Sequence, residues 1–147
     1  MAHSVNEAAA IENKNMKQKK VQILFVCVEN ARRSQMAQGF AESLGQGKVE
    51  VYSAGSHPAS QIDPLVIEVM KEKGIDLSGK RPKGLNDLPP VEMDYLVTMG
   101  CEETCPAVPA KKIIEWEIPD PKGKSIDEIR KICDMLKGKV RKLLEEV

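Results

Sequence analysis

Apolar residues run through this chain in two rhythms, and the rhythms alternate. Val21-Gln22-Ile23-Leu24-Phe25-Val26 is a short apolar run with β-branched residues, which reads as a buried parallel strand. Met36, Ala37, Phe40, Ala41 and Leu44 then recur at helical spacing, and Gly45 supplies the stop. Val49 to Ser53 predicts a second strand, ending in Ala54-Gly55. Pro64 to Lys73 predicts a helix that buries Leu65, Val66, Val69 and Met70. Asp63 suits its N-cap, Pro64 its first position and Gly74 its end. Gly79 to Pro90 is loop, Met93 to Met99 a third strand, and Lys112 to Trp116 a fourth. From Ser125 to Val147, apolar residues fall at 126, 129, 133, 136, 140, 143 and 147. That unbroken 3/4 stripe predicts a long helix lying against the sheet. Strands alternating with helices define an α/β domain of doubly wound type, with a four-stranded parallel sheet between layers.

Composition narrows the class. At 147 residues the chain has room for one core. Residues 1–20 are polar and aperiodic and end in Lys17-Gln18-Lys19-Lys20, so a disordered tail is expected before a domain at 21–147. Met16 stands where a compact domain of this kind would begin. Basic and acidic residues balance at 22 each, which gives no electrostatic case for nucleic acid or an anionic membrane. No apolar run approaches the roughly 20 residues of a membrane span, and the N-terminus lacks the apolar core of a secretory signal. Four cysteines without an export signal point to reduced thiols used in catalysis or metal binding, and the expected location is the cytoplasm.

The chemistry concentrates at Cys27-Val28-Glu29-Asn30-Ala31-Arg32-Arg33-Ser34, between the first strand and the first helix. Such a junction presents several backbone N–H groups, and the helix N-terminus adds positive partial charge. Together, the amides of Val28, Glu29, Asn30, Ala31, Arg32, Arg33 and Ser34 make a cradle for a tetrahedral oxyanion. Cys27 stands on its floor, where the dipoles and Arg33 favour the nucleophilic thiolate. Arg33 can hold two oxygens of an anion in a bidentate fork, and the Ser34 hydroxyl can donate to the thiolate. The bland alternative is a buried strand-end cysteine beside a surface arginine.

Two further groups flank this loop in sequence. In Cys101-Glu102-Glu103-Thr104-Cys105-Pro106, two thiols stand four positions apart. They share a face if the segment is helical and can close a disulfide if it unwinds. A metal site is the rival reading, although two cysteines without nearby histidines fall short of four ligands; plain structural cysteines are the third. Glu115 to Pro121 ends in Asp120-Pro121, which by itself reads as a turn. Cys133 lies on the stripe of the last helix and reads as core, as do Met70, Met93 and Met99. Trp116 reads as packing and His57 as loop decoration.

Cys27 to Gly39, Tyr52-Ser53-Ala54-Gly55, Val97 to Pro106, and Asp120-Pro121 with Gly123-Lys124 resemble the low-molecular-weight protein tyrosine phosphatase superfamily. The likeness is strongest to the thioredoxin-coupled arsenate reductases on that fold, and it spans Val21 to about Val147. It implies a flavodoxin-like domain, and a monomer is expected. It also implies that Cys27 forms a covalent adduct, that Asp120 gives a proton to the leaving oxygen, and that Cys101 attacks the adduct before Cys105 attacks Cys101. The implied reductant is thioredoxin or an equivalent external thiol, with no bound cofactor and no metal. The alternative is a phosphatase that hydrolyses phosphotyrosine through a Cys27 thiophosphate. A non-enzymatic redox or oxyanion sensor ranks below both. Only 3% of residues are aromatic, which disfavours a phosphotyrosyl cleft. The chain also departs from the reductase pattern. Arg32 replaces a cysteine, and Glu29 replaces a small or neutral residue and must point outward beside an oxyanion. Gln38 and Lys83 stand where some reductases hold potassium with acidic residues; Asn30 and Ser53 are kept, and no such ion is expected.

Overall fold

The structure, a computed structural model, describes residues 19–100 and 108–147. The N-terminal segment through residue 18 and the Cys101–Cys105 pair lie outside these residues. Four parallel strands form one sheet: β1 (Val21–Cys27), β2 (Val49–Gly55), β3 (Met93–Thr98) and β4 (Ala110–Glu115), in the order β2-β1-β3-β4. The long helices are α1 (Arg33–Leu44), α2 (Pro64–Glu72) and α3 (Ile126–Glu145). After β1 the chain builds β2 on one side and then crosses to β3 on the other. The C-terminal end of β1 is therefore the switch point at which open α/β sheets leave a crevice.

Burial follows the two rhythms. Ile23 and Phe25 face a large core with α1, α2 and α3, while Leu24 and Val26 face a smaller cluster with Ala54, Met93 and Leu96. A 3-10 turn at Leu85–Asp87 brings Leu85 and Leu88 to that smaller cluster, inside the expected loop. Ser125 caps α3 in a reciprocal box with Glu128, and Cys133 is buried on its stripe as expected. Ile132 is also buried there, because the apolar face is broader than a strict 3/4 line. Burial pushes the Cys133 thiol up to about 11, so it stays a neutral core group at pH 7. Met70, Met93 and Met99 are fully buried, and Trp116 is partly buried with its ring tilted on Phe25 at 5.7 Å.

Two side chains depart from expectation. Leu65 is 38% exposed and Leu44 42% exposed. The buried face of α2 carries Val66, Val69 and Met70, which rotates Leu65 onto the flank; Leu44 is the last residue of α1. Strand β4 begins two residues earlier than predicted. It is an edge strand whose Lys111, Lys112 and Ile113 stay exposed, so it shows little apolar alternation.

Candidate active site

The β1–α1 loop is shaped by its carbonyls. Those of Cys27, Val28, Glu29 and Ala31 accept hydrogen bonds from the N–H groups of Ser56, His57, Ala59 and Asp63, at 3.2, 2.7, 2.9 and 3.2 Å. In a trans peptide the N–H points opposite to the C=O. Pulling these carbonyls onto the 56–63 segment therefore turns the amides of Val28, Glu29, Asn30 and Arg32 inward. Gly55 makes the approach possible: it pairs with Cys27 across the strands, and a Cβ there would lie 2.6 Å from the Val28 carbonyl oxygen.

Asn30 bends the loop. It is fully buried with φ of 51°, a left-handed conformation that asparagine tolerates better than most residues. Its Oδ1 accepts from Lys83 N at 2.7 Å and Gln35 Nε2 at 2.9 Å, while its Nδ2 donates to Ser34 Oγ at 2.7 Å. Ser34 Oγ lies 2.9 Å from Cys27 Sγ. Because Asn30 already donates to that oxygen, the hydroxyl proton is free to point at the sulfur, the arrangement that stabilises a thiolate. Ser34, Asn30 and Gln35 are all buried, so this chain of bonds is shielded from water.

Arg33 opens helix α1 and is also buried. Its Nη1 donates to the Ile118 carbonyl at 3.1 Å, and its Nη2 faces Asp120 Oδ2 at 3.6 Å. Gly100 closes the other side: its φ is +73°, and a Cβ there would stand 2.5 Å from Arg33 Nη1. Asp120 forms a turn, its Oδ1 accepting from Lys122 N at 3.0 Å, and its second oxygen looks into the cleft. A cavity of about 10 Å³ lies over Cys27, bounded by the loop from Val28 to Arg33 and by Asp120. None of the chain's aromatic residues lines it.

Glu29 resolves as the sequence requires, turned toward Arg32 Nη1 and Lys122 Nζ instead of into the cradle. The Arg32 bond, and then Lys122, hold its carboxyl below the usual carboxylate range. On the far side of the loop, Gln38 Oε1 accepts from Ser53 Oγ and its Nε2 donates to the Val51 carbonyl. Lys83 is half-buried there, and that burial holds it below the usual lysine range.

The 56–63 segment and Lys122 carry no signal in the sequence that marks them as part of the site, and Gln35 and Gly100 stand out only as members of longer motif stretches. Gly55 and Asp63 stand out there only as members of a motif and a cap. Asp63 does cap α2, through Leu65 N at 3.0 Å, and its other oxygen accepts from Arg32 Nε at 2.8 Å.

A parallel sheet with a cysteine at the floor of an amide-lined loop, and an arginine and an aspartate over it, defines the phosphatase-like class of oxyanion enzymes. The profile of the low molecular weight phosphotyrosine protein phosphatases matches residues 22–147, and the chain belongs to that family. A putative arsenate reductase of Halobacterium salinarum is 35% identical over 127 residues, covering 83% of this chain and 89% of that one. Among solved structures, an arsenate reductase in its phosphate-binding state superposes with a TM-score of 0.79 at 32% identity, covering 86% of this chain and 98% of the other. A thioredoxin-dependent arsenate reductase of Corynebacterium glutamicum superposes with a TM-score of 0.72 at 35% identity, covering 99% of this chain and 70% of the other.

Proposed function

We propose that this protein reduces arsenate to arsenite, using thiols in sequence. The Cys27 thiolate attacks arsenic(V) while the inward amides and Arg33 hold the oxygens, and Asp120 protonates the departing oxygen, which leaves as water. Cys101 then attacks the Cys27 sulfur. The sulfur–arsenic bond breaks, its electron pair stays on arsenic as arsenite, and a Cys27–Cys101 disulfide forms. Cys105 attacks Cys101 and frees Cys27, and an external dithiol protein of thioredoxin type reduces the Cys101–Cys105 pair. A reducing compartment, the cytoplasm, suits this cycle.

The observation that carries the reading is the place of Gly100. Its backbone stands against the Arg33 guanidinium, and Cys101 is the next residue, about 3.8 Å along the chain from Cα to Cα. A second thiol thus follows in sequence directly on a residue whose backbone touches Arg33. A cleft without aromatic lining supports a bare oxyanion over a phosphotyrosyl ring.

The test is arsenate with thioredoxin, thioredoxin reductase and NADPH, where arsenate-dependent NADPH oxidation is expected. Non-reducing peptide mapping resolves the steps. Wild type accumulates Cys101–Cys105, Cys105→Ser stalls as Cys27–Cys101, and Cys101→Ser forms neither. Robust hydrolysis of p-nitrophenyl phosphate with no arsenate-dependent disulfide would replace the reductase by the phosphatase.

A further inference from the structure

Four charged side chains cross the mouth of the cradle in a row. Lys122 Nζ meets Glu29 Oε1 at 3.3 Å; Arg32 Nη1 donates to Glu29 Oε2 at 2.5 Å; Arg32 Nε donates to Asp63 Oδ2 at 2.8 Å. The signs alternate and sum to zero. The row joins three separate segments: the Asp120 loop, the β1–α1 loop and the start of α2. It is also graded, from Lys122, 61% exposed, to Asp63, 14% exposed. Asp63 is fixed by its capping bond to Leu65 N, so Arg32 and then Glu29 are held from the buried end.

A carboxylate at the mouth of an anion site needs a reason, because it repels the incoming ligand. Neither core packing nor the described chemistry uses the Glu29 side chain. Its partner supplies the reason: the N–H of Lys122 holds the Asp120 carboxylate at 3.0 Å, while the Lys122 ammonium reaches Glu29. One residue thus ties the Asp120 turn to the wall of the cradle. The small cavity over Cys27 opens partly to solvent, and Glu29, Arg32 and Asp120 are among its lining residues.

We propose that Glu29 is a positioning residue that latches the Asp120 loop to the cradle through Lys122, and that the closed latch selects a bare tetrahedral oxyanion over one carrying an aryl group. Only the name of the favoured oxyanion rests on the reductase reading; the selection itself does not.

The test is ligand protection of Cys27 from iodoacetamide, followed on its own peptide by mass spectrometry. Inorganic phosphate and phenylphosphonate are compared in wild type, Glu29→Gln, Lys122→Met and the double variant. The two single substitutions change the charge at the mouth in opposite directions, but both open the latch. Both are expected to shift the phosphate-to-phenylphosphonate preference toward the aryl ligand by roughly two- to fivefold, the span of one exposed ion pair. The double variant should shift it no further than the larger single effect. Lys122 is exposed enough that its variant keeps the fold. Opposite shifts would reduce the row to a charge effect. No shift, a shift in one variant only, or additive shifts would equally overturn the latch. Because binding is read without turnover, the latch stands or falls on these ratios even in an enzyme that failed to reduce arsenate.

Discussion

The floor and the rim of the cradle are built by different means. On the floor, Asn30, Ser34, Gln35 and Cys27 are buried and joined by hydrogen bonds of 2.7–2.9 Å, with the loop carbonyls tied to a neighbouring segment. On the rim, Asp120 is half-exposed and meets Arg33 at 3.6 Å, and Lys122 reaches Glu29 at the solvent boundary. Buried bonds fix geometry and resist salt, whereas exposed pairs contribute little each and are screened. On the proposed function, the groups that would hold an anion are therefore the firmly bonded ones, and those that would admit it and release its product are weakly held.

Breaking the floor should cost most. Cys27→Ser is expected to reduce arsenate turnover, and any p-nitrophenyl phosphate hydrolysis, to background in the NADPH-coupled and chromogenic assays. Asp120→Asn tests the rim. It should slow the first step by roughly 10²-fold, the lower range for a positioned proton donor, with phosphate protection of Cys27 largely kept. If binding falls as far as turnover, rim and floor are not separable in this way.

Gly100→Ala should lower turnover by about 10²-fold, because displacing a positioning group by about 1 Å has that effect, and Arg33 must move. Gly47→Ala is its control. Gly47 also has a positive φ, of 80°, but a Cβ there meets nothing within 4 Å. It should cost about 1–2 kcal/mol in urea unfolding and leave activity intact. Ser34→Ala should slow Cys27 alkylation and turnover about tenfold near pH 7, the worth of one hydrogen bond to a charged group.

The smallest effect is set by pH. Glu29 has its carboxyl held low by Arg32 and Lys122, so its pairing stabilises the protein above the ordinary carboxylate value of about 4.3 and is lost as pH falls through the lower folded value. The phosphate-to-phenylphosphonate preference of wild type should be flat from neutral pH down through that ordinary value and relax only in stronger acid.

Much of this is legible in the chain. The strand-loop-helix reading around Cys27 needs only a buried run, a helical stripe and the residues between them, because local periodicity carries that information. Asp63 and Pro64 mark the start of α2, and Ser125 that of α3, since caps are local chemistry. Glu29 is legible as a problem, a charge that has to turn outward, although its partners are not: Lys122 is 93 residues away. Gln35 and Gly100 lie within motif stretches, but their individual parts are not legible in the sequence because each acts through a contact with a distant segment, Arg81 and Arg33 respectively. The limits of β4 are blurred because an exposed edge strand carries no clear apolar rhythm. The roles of Cys101 and Cys105 rest on position in the chain and on the family.

The bonds that turn the cradle's carbonyls outward come from main-chain N–H groups at 56, 57, 59 and 63, and Pro58, which has none to give, stands in a gap between them. Every amino acid except proline can supply such a group. A scan of single substitutions would therefore score most of this segment as dispensable, and its exposed side chains would drift freely over evolutionary time. Deleting one residue from it is another matter, since that would shift the donors out of phase with the carbonyls and let the amides swing away from the anion. What is inherited in this stretch is a count of residues more than a spelling.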